Sequence, residues 1–108
     1  MKRGDIVTVS APGDYGKPRP ALVIQSDSLK ATNSVLVSLL TSKIVDAPIY
    51  RLSLKPTSQN GLKLESQIMV DKILALPRDK CGAVIGKIDK ASIVALNNLL
   101  AVVIGLAD

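Results

Sequence analysis

The stretch Gly13-Asp14-Tyr15-Gly16-Lys17-Pro18-Arg19-Pro20 gathers two glycines, two prolines, two cations, an acid and a tyrosine into eight residues. Pro18 and Pro20 flank Arg19. Their rings fix their own φ angles, and Pro20 keeps Arg19 out of the helical region. A guanidinium on so stiff a backbone loses little entropy when it forks onto a phosphate, and its charge does not titrate near neutrality. The plainer alternative is a surface charge at the start of a strand, paired with Asp14. A second polar island, Thr41-Ser42-Lys43, follows an otherwise apolar run. Hydroxyls there can donate to a phosphate oxygen or cap the next turn. A third island, Asp71-Lys72, sits between Ile68-Met69-Val70 and Ile73-Leu74. A carboxylate so placed is an ion-pair partner, or a base or orienting group where it faces a cleft. Arg78-Asp79-Lys80 reads as a solvated turn, and Cys81 as a small core residue with no motif of a nucleophile beside it.

The residues that are missing narrow the chemistry further. Lys and Arg total 14 against 9 Asp and Glu, a net charge of +5 that favours a polyanionic partner. The absence of His removes the commonest general base and metal ligand. With no Trp or Phe and only two Tyr, the chain lacks an aromatic platform for stacking bases. A single Cys excludes an intrachain disulfide and a multi-Cys zinc site. Cations, hydroxyls and one carboxylate remain, each at the end of a different strand. If they converge, that inventory suits phosphodiester chemistry with neither metal nor cofactor. Transfer of an RNA 2′-OH onto its own phosphorus needs charge stabilisation and proton traffic at both oxygens, and no bound ion.

The elements that must position these islands can be read from pattern. At 108 residues and 47% apolar content the chain is expected to form one compact domain over 1–108. Asp5 to Ser10 predicts a short β-branched strand, and the Pro- and Gly-rich Ala11 to Pro20 a loop. Ala21 to Gln25 and Ser34 to Leu40 are continuous apolar runs, as in strands buried on both faces. Ser26 to Asn33 between them is polar, with room for a helical turn. Tyr50 to Leu54 alternates with period two, and Pro56 to Gly61 is a turn. Gln67 to Val70 and Lys72 to Ala75 read as a strand interrupted near Asp71, and Ala83 to Ile88 as a short strand or irregular segment. Asp89 is a helix cap. Ile93, Leu96, Leu99, Leu100, Val103 and Ile104 then follow helical spacing, and after Asn98 the stripe widens to nearly the full circumference. So apolar a helix needs a deep core or a subunit interface, which predicts a homodimer. Short strands followed by a terminal helix predict a mainly β (α+β) fold, a small, strongly curved β-barrel with a helix against it.

No apolar core of signal-peptide length follows Met1-Lys2-Arg3-Gly4-Asp5. The longest apolar run, Leu99 to Ala107, falls far short of the ~20 residues a spanning helix needs. A cytoplasmic protein with no membrane partner is therefore expected.

Arg3-Gly4-Asp5-Ile6-Val7, followed by Gly16-Lys17-Pro18-Arg19-Pro20-Ala21-Leu22-Val23-Ile24, resembles the MazF/PemK family of toxins from type II toxin–antitoxin systems. The likeness continues through Leu39-Leu40-Thr41-Ser42 and Ser66-Gln67-Ile68-Met69-Val70-Asp71-Lys72-Ile73 into the terminal helix. It implies an SH3-like or CcdB-like β-barrel with a C-terminal helix, usually a homodimer. It also implies a metal-independent endoribonuclease that cuts single-stranded RNA, messenger RNA first among its targets, leaving 2′,3′-cyclic phosphate and 5′-hydroxyl ends. A cognate antitoxin is the implied protein partner, with DNA met only indirectly through it. Carried over by position, Arg19 matches the catalytic arginine that stabilises the phosphorane-like transition state. Thr41 matches the hydroxyl placed on the scissile phosphate, and Asp71 an acidic residue that helps activate the 2′-OH or orients Arg19. Tyr15, Lys17, Ser42, Lys43 and Lys72 are the expected RNA contacts. The chain departs from the pattern in its shortened first loop, where Asp14 and Tyr15 stand, and at Met69, Lys72 and Leu74-Ala75. The same fold also hosts gyrase poisons, and a catalytically inactive antitoxin-binding protein is a third alternative.

Overall fold

Apolar runs such as Ala21 to Gln25 and Ser34 to Leu40 need cover on both sides, and the computed structural model, which describes all 108 residues, supplies it. The elements are β1 (Asp5–Val9), β2 (Arg19–Val23), β3 (Ser34–Thr41), β4 (Arg51–Leu54), β5 (Ser66–Pro77), β6 (Cys81–Lys87) and α1 (Lys90–Val103). A single 3-10 turn, Arg78–Lys80, joins β5 to β6. The six strands form one antiparallel sheet in the order β4-β5-β3-β2-β1-β6. Side chains alternate between its faces. Val7, Val9, Ala21, Val23, Val35, Val37 and Leu39 pack into one core. Ile6, Leu22, Leu40, Leu54, Ile68 and Val70 pack into the other, which α1 covers through Leu96 with Ile93, Leu99, Leu100 and Val103 beside it. A strand between two cores has no polar side to show.

The mainly β architecture with a C-terminal helix is as expected. The hydrogen-bonded sheet itself is not closed, because β4 and β6 are its two edges. The turn after β4 spans the gap by close packing. Lys87 N–H donates to the Gln59 carbonyl at 3.0 Å, and a Cβ at Gly61 or Gly86 would overlap the backbone of Ile85 or Asn60. Gly61 also sits at φ +68°, a region that favours glycine. Buried Asn60 holds the turn, accepting from the N–H groups of Thr57 and Leu62 and donating to the Lys55 carbonyl.

Two local expectations are corrected. Ser26–Asn33 forms turns and bends, with Leu29 N–H donating to the Ser26 carbonyl at 3.1 Å, and contains no helical turn. The segment around Asp71 is one continuous strand of 12 residues rather than two pieces. Its irregularity is one of register: Ser38 pairs with Ile73 and Leu40 with Ile68, so Met69–Lys72 face only Leu39. There β5 passes from lying between β3 and β4 to pairing with β3 alone.

Asp89 caps α1 as expected, its Oδ1 accepting from Ser92 N–H at 2.8 Å. The helix ends on Gly105 at φ +80°, with Leu106 N–H donating to Ala101 and Gly105 N–H to Val102, a Schellman arrangement. Val94, Val102, Ile104 and Leu106 are exposed on or beside it. No helix is long and apolar enough to cross a membrane.

Candidate functional site

Strand register brings two of the three polar islands, through Arg19 and Thr41, into one row. The β2–β3 ladder runs from Val23 opposite Val37 to Ala21 opposite Leu39. Pro20 has no N–H with which to extend it. Continuing the same register by two residues sets Arg19 opposite Thr41. Thr41 is itself opposite Gln67 on β5, and Gln67 is opposite Ser53 on β4. Arg19, Thr41, Gln67 and Ser53 thus form a cross-strand row at one end of the sheet, with Arg51 and Met69 as the next pair on the same face.

The Arg19 guanidinium is anchored on two sides. Its Nη2 donates to the Leu40 carbonyl at 2.5 Å, and its Nη1 lies 3.6 Å from Asp14 Oδ1. Both side chains are about a quarter exposed, 27% and 23%. Asp14 is held by the first loop, where Asp14 N–H donates to Ala11 and Lys17 N–H to the Asp14 carbonyl. Its second oxygen is buried without a partner. The Asp14 pairing, the plainer alternative for Arg19, and the guanidinium's place beside Thr41 therefore occur together.

Thr41 Oγ1 accepts from Lys43 N–H at 3.1 Å, so the hydroxyl caps the turn that follows β3. A hydroxyl that accepts still has its proton to donate, and that proton is available to a phosphate oxygen.

Two hollows open beside this pair. One, of about 400 Å³, is lined by Arg19, Thr41, Lys43, Arg51 and Lys72 over Leu39, Val45 and Met69. Four cations and no acid surround it. The other, of about 290 Å³, is lined by Asp14, Lys17, Pro18, Arg19, Pro20, Leu40 and Ser42. Arg19 belongs to both, so its guanidinium divides a continuous basic surface. The arrangement can hold a polyanionic strand with one phosphate at Arg19 and Thr41. A larger hollow, of about 480 Å³, lies at the far ends of β2 and β3, near Val23 and Val35. Lys2, Lys30 and Asp27 also line it, but its Arg78 is spent on the Thr32 carbonyl and its Gln25 on Leu29 and Thr32.

The expected site residues divide. Arg19, Thr41, Lys43 and Lys72 share the first hollow, while Lys17 and Ser42 line the second. Tyr15 is 97% exposed at the loop tip, at φ +52°, and lines neither. Asp71 is exposed and also lines neither, whereas Asp14 is the carboxylate beside Arg19. Arg51 and Gln67 were not singled out from the sequence. Arg51 is one member of an alternating strand, and only the β4–β5 register reveals its place. No three His, Cys, Asp or Glu side chains stand together as metal ligands. Cys81 packs at the edge of the first core, and burial pushes its thiol pKa up, with Arg78 opposing and Asp79 reinforcing the shift. Such a thiol is not an activated nucleophile.

Comparison with known proteins gives the family. The model of the PemK-like, MazF-like toxin of type II toxin–antitoxin systems matches residues 2–104. A protein of Mycolicibacterium smegmatis named a probable endoribonuclease MazF is 41% identical over 108 residues, covering 99% of each chain. An endoribonuclease from a mycobacterial species, solved with its cognate antitoxin, superposes with a TM-score of 0.82 at 21% identity, covering 98% of this chain and 96% of that one. A MazE–MazF structure from Deinococcus radiodurans gives 0.79 at 18% identity, covering 97% and 95%. The two structural likenesses speak for the fold alone. The family model and the 41% relative cover nearly the whole chain, and with them the chain belongs to the PemK-like, MazF-like family of type II toxin–antitoxin toxins.

Proposed function

We propose that this toxin is a metal-independent endoribonuclease that cuts single-stranded RNA into 2′,3′-cyclic phosphate and 5′-hydroxyl ends. The observation that carries this is the joint position of Arg19 and Thr41 at one basic hollow, beside a relative named for the same activity. In the proposed step the 2′-oxygen attacks phosphorus and loses its proton as the P–O5′ bond breaks. The departing 5′-oxygen takes up a proton. Arg19, with two N–H groups directed to Leu40 and Asp14, offers its remaining donors to the non-bridging oxygens as charge develops there. Thr41 donates to the same phosphate, and Asp14 orients the guanidinium. Lys17, Ser42, Lys43 and Lys72 hold the flanking backbone, and Tyr15 meets the RNA at the loop tip.

The same proposal makes the whole chain, 1–108, one toxin unit that acts as a cytoplasmic homodimer. Val94, Val102, Ile104 and Leu106 on and beside α1 supply an apolar surface that a second copy would cover. A cognate antitoxin is the proposed protein partner, as solved structures of the same fold hold theirs. Incubation with a long RNA in excess EDTA tests the activity: discrete cuts with 5′-hydroxyl ends are expected. Intact RNA, or cutting only when a divalent ion is restored, would overturn it.

A further inference from the structure

Arg51 stands in the basic hollow with Arg19 and Thr41, but its surroundings differ from those of Arg19 in one respect. Arg19 faces a carboxylate, whereas Arg51 Nη1 donates to the neutral side-chain oxygen of Gln67, at 3.2 Å. Its charge is therefore uncompensated, and its Nε is buried with no hydrogen-bond partner. A buried N–H left unpaired is costly, and the charge of a guanidinium that lines an open hollow with no carboxylate beside it is available to a ligand oxygen.

Gln67 is built to hold that guanidinium still. It is 4% exposed and every polar atom of its amide is engaged. Oε1 accepts from Val45 N–H at 3.1 Å as well as from Arg51, while Nε2 donates to the Val45 carbonyl at 2.8 Å and to Ser53 Oγ at 3.3 Å. One side chain thus ties together the Arg51 strand and the segment that leaves Thr41 through Lys43. The register explains why: Arg51 is opposite Met69, two residues along from Gln67 on the same face.

We propose that Arg51 is a second phosphate-binding residue, taking the RNA phosphate next to the one cut at Arg19, and that Gln67 is its positioning residue. The base between these two phosphates lies over the apolar floor of Val45, Met69 and Leu39. This rests on the endoribonuclease reading and deepens it. A phosphate contact fixes register along the strand without reading sequence.

Binding of a single-stranded RNA made uncleavable by 2′-deoxy substitution at its mapped cut site, followed across a salt series, tests the assignment. Arg51→Ala should weaken binding about tenfold or more, and lower the salt slope by about 0.7, the contribution of one phosphate on a single strand. The loss should be equal across RNAs of different sequence, with cut positions unchanged and KM raised more than kcat is lowered. Arg51→Lys should restore the slope but only part of the affinity, because an ammonium lacks the planar fork. Gln67→Met should weaken binding in the wild-type background and add nothing in the Arg51→Ala background. An unchanged salt slope, altered cut positions, or a Gln67→Met loss that persists in full without Arg51 would overturn the proposal. Should the wild type cut no RNA, the nuclease reading fails separately. The salt slope on unmodified single-stranded RNA then still decides whether Arg51 binds phosphate.

Discussion

Arg19 Nη2 donates to the carbonyl of Leu40, the residue just before Thr41 on the neighbouring strand. Beyond Ala21 opposite Leu39 the β2–β3 ladder has no N–H from Pro20 to use, and the guanidinium occupies that carbonyl instead. The backbone interruption and the placement of the charge thus have one cause. A side chain secured to the partner strand need not be ordered by the substrate, which lowers the entropy lost when phosphate binds.

Neutralising Asp14 should cost more activity than neutralising Asp71. The Arg19–Asp14 pair is 3.6 Å long and partly exposed, which limits it to about 0.2–1 kcal/mol. Asp14→Asn should therefore lower kcat/KM by up to about fivefold, given that each 1.36 kcal/mol is tenfold in rate. Asp71 lines neither hollow, and Asp71→Asn should stay within about twofold of wild type by the same scale. Single-turnover cleavage of one defined RNA measures both. A larger loss at Asp71 would restore it as the residue that activates the 2′-OH or orients Arg19.

The fold was legible where pattern depends on local burial. Leu22 and Leu40 enter one core while Ala21, Val23, Val37 and Leu39 enter the other, which is why both strands read as unbroken apolar runs. Asp89 announced its helix because a cap is a local hydrogen bond. Of the candidate site, Arg19 and Thr41, which line the same hollow, were legible because their neighbours in sequence are distinctive. Arg51, Gln67 and the register change opposite Leu39 were not, since each depends on which strands pair and how far they slide. A one-residue slip would have sent Arg51 to the opposite face.

Leu96 is the helix residue that the sheet core should miss most. It is fully buried among Ile6, Leu22, Ile68 and their neighbours. Leu96→Ala should cost about 2–5 kcal/mol of stability, while Leu64→Ala, at a position 64% exposed, should stay within about 0.5 kcal/mol. Urea unfolding at constant protein concentration gives both values.

Asp89 should make stability depend on acid. Its carboxylate accepts from the Ser92 backbone N–H, with a further hydrogen bond to the Ser92 side chain, and these hold its pKa below the ordinary value. A folded pKa below the unfolded one adds stability that is fully present above the unfolded value and is lost as pH falls through the folded value. Asp89→Asn should therefore melt below wild type at pH 6. The gap should shrink as pH falls from about 4 toward the depressed folded value. A gap independent of pH would mean that the charge plays no part in the cap.

Exchange of Arg19 tests the central claim most directly. With EDTA present and RNA saturating, Arg19→Ala should lose about 3 kcal/mol or more of transition-state stabilisation, at least a hundredfold in kcat, with the melting temperature little changed. Arg19→Lys should recover only a minor part, since an ammonium cannot fork between the Leu40 carbonyl and a phosphate. Undiminished cutting by a folded Arg19→Ala protein would contradict the account.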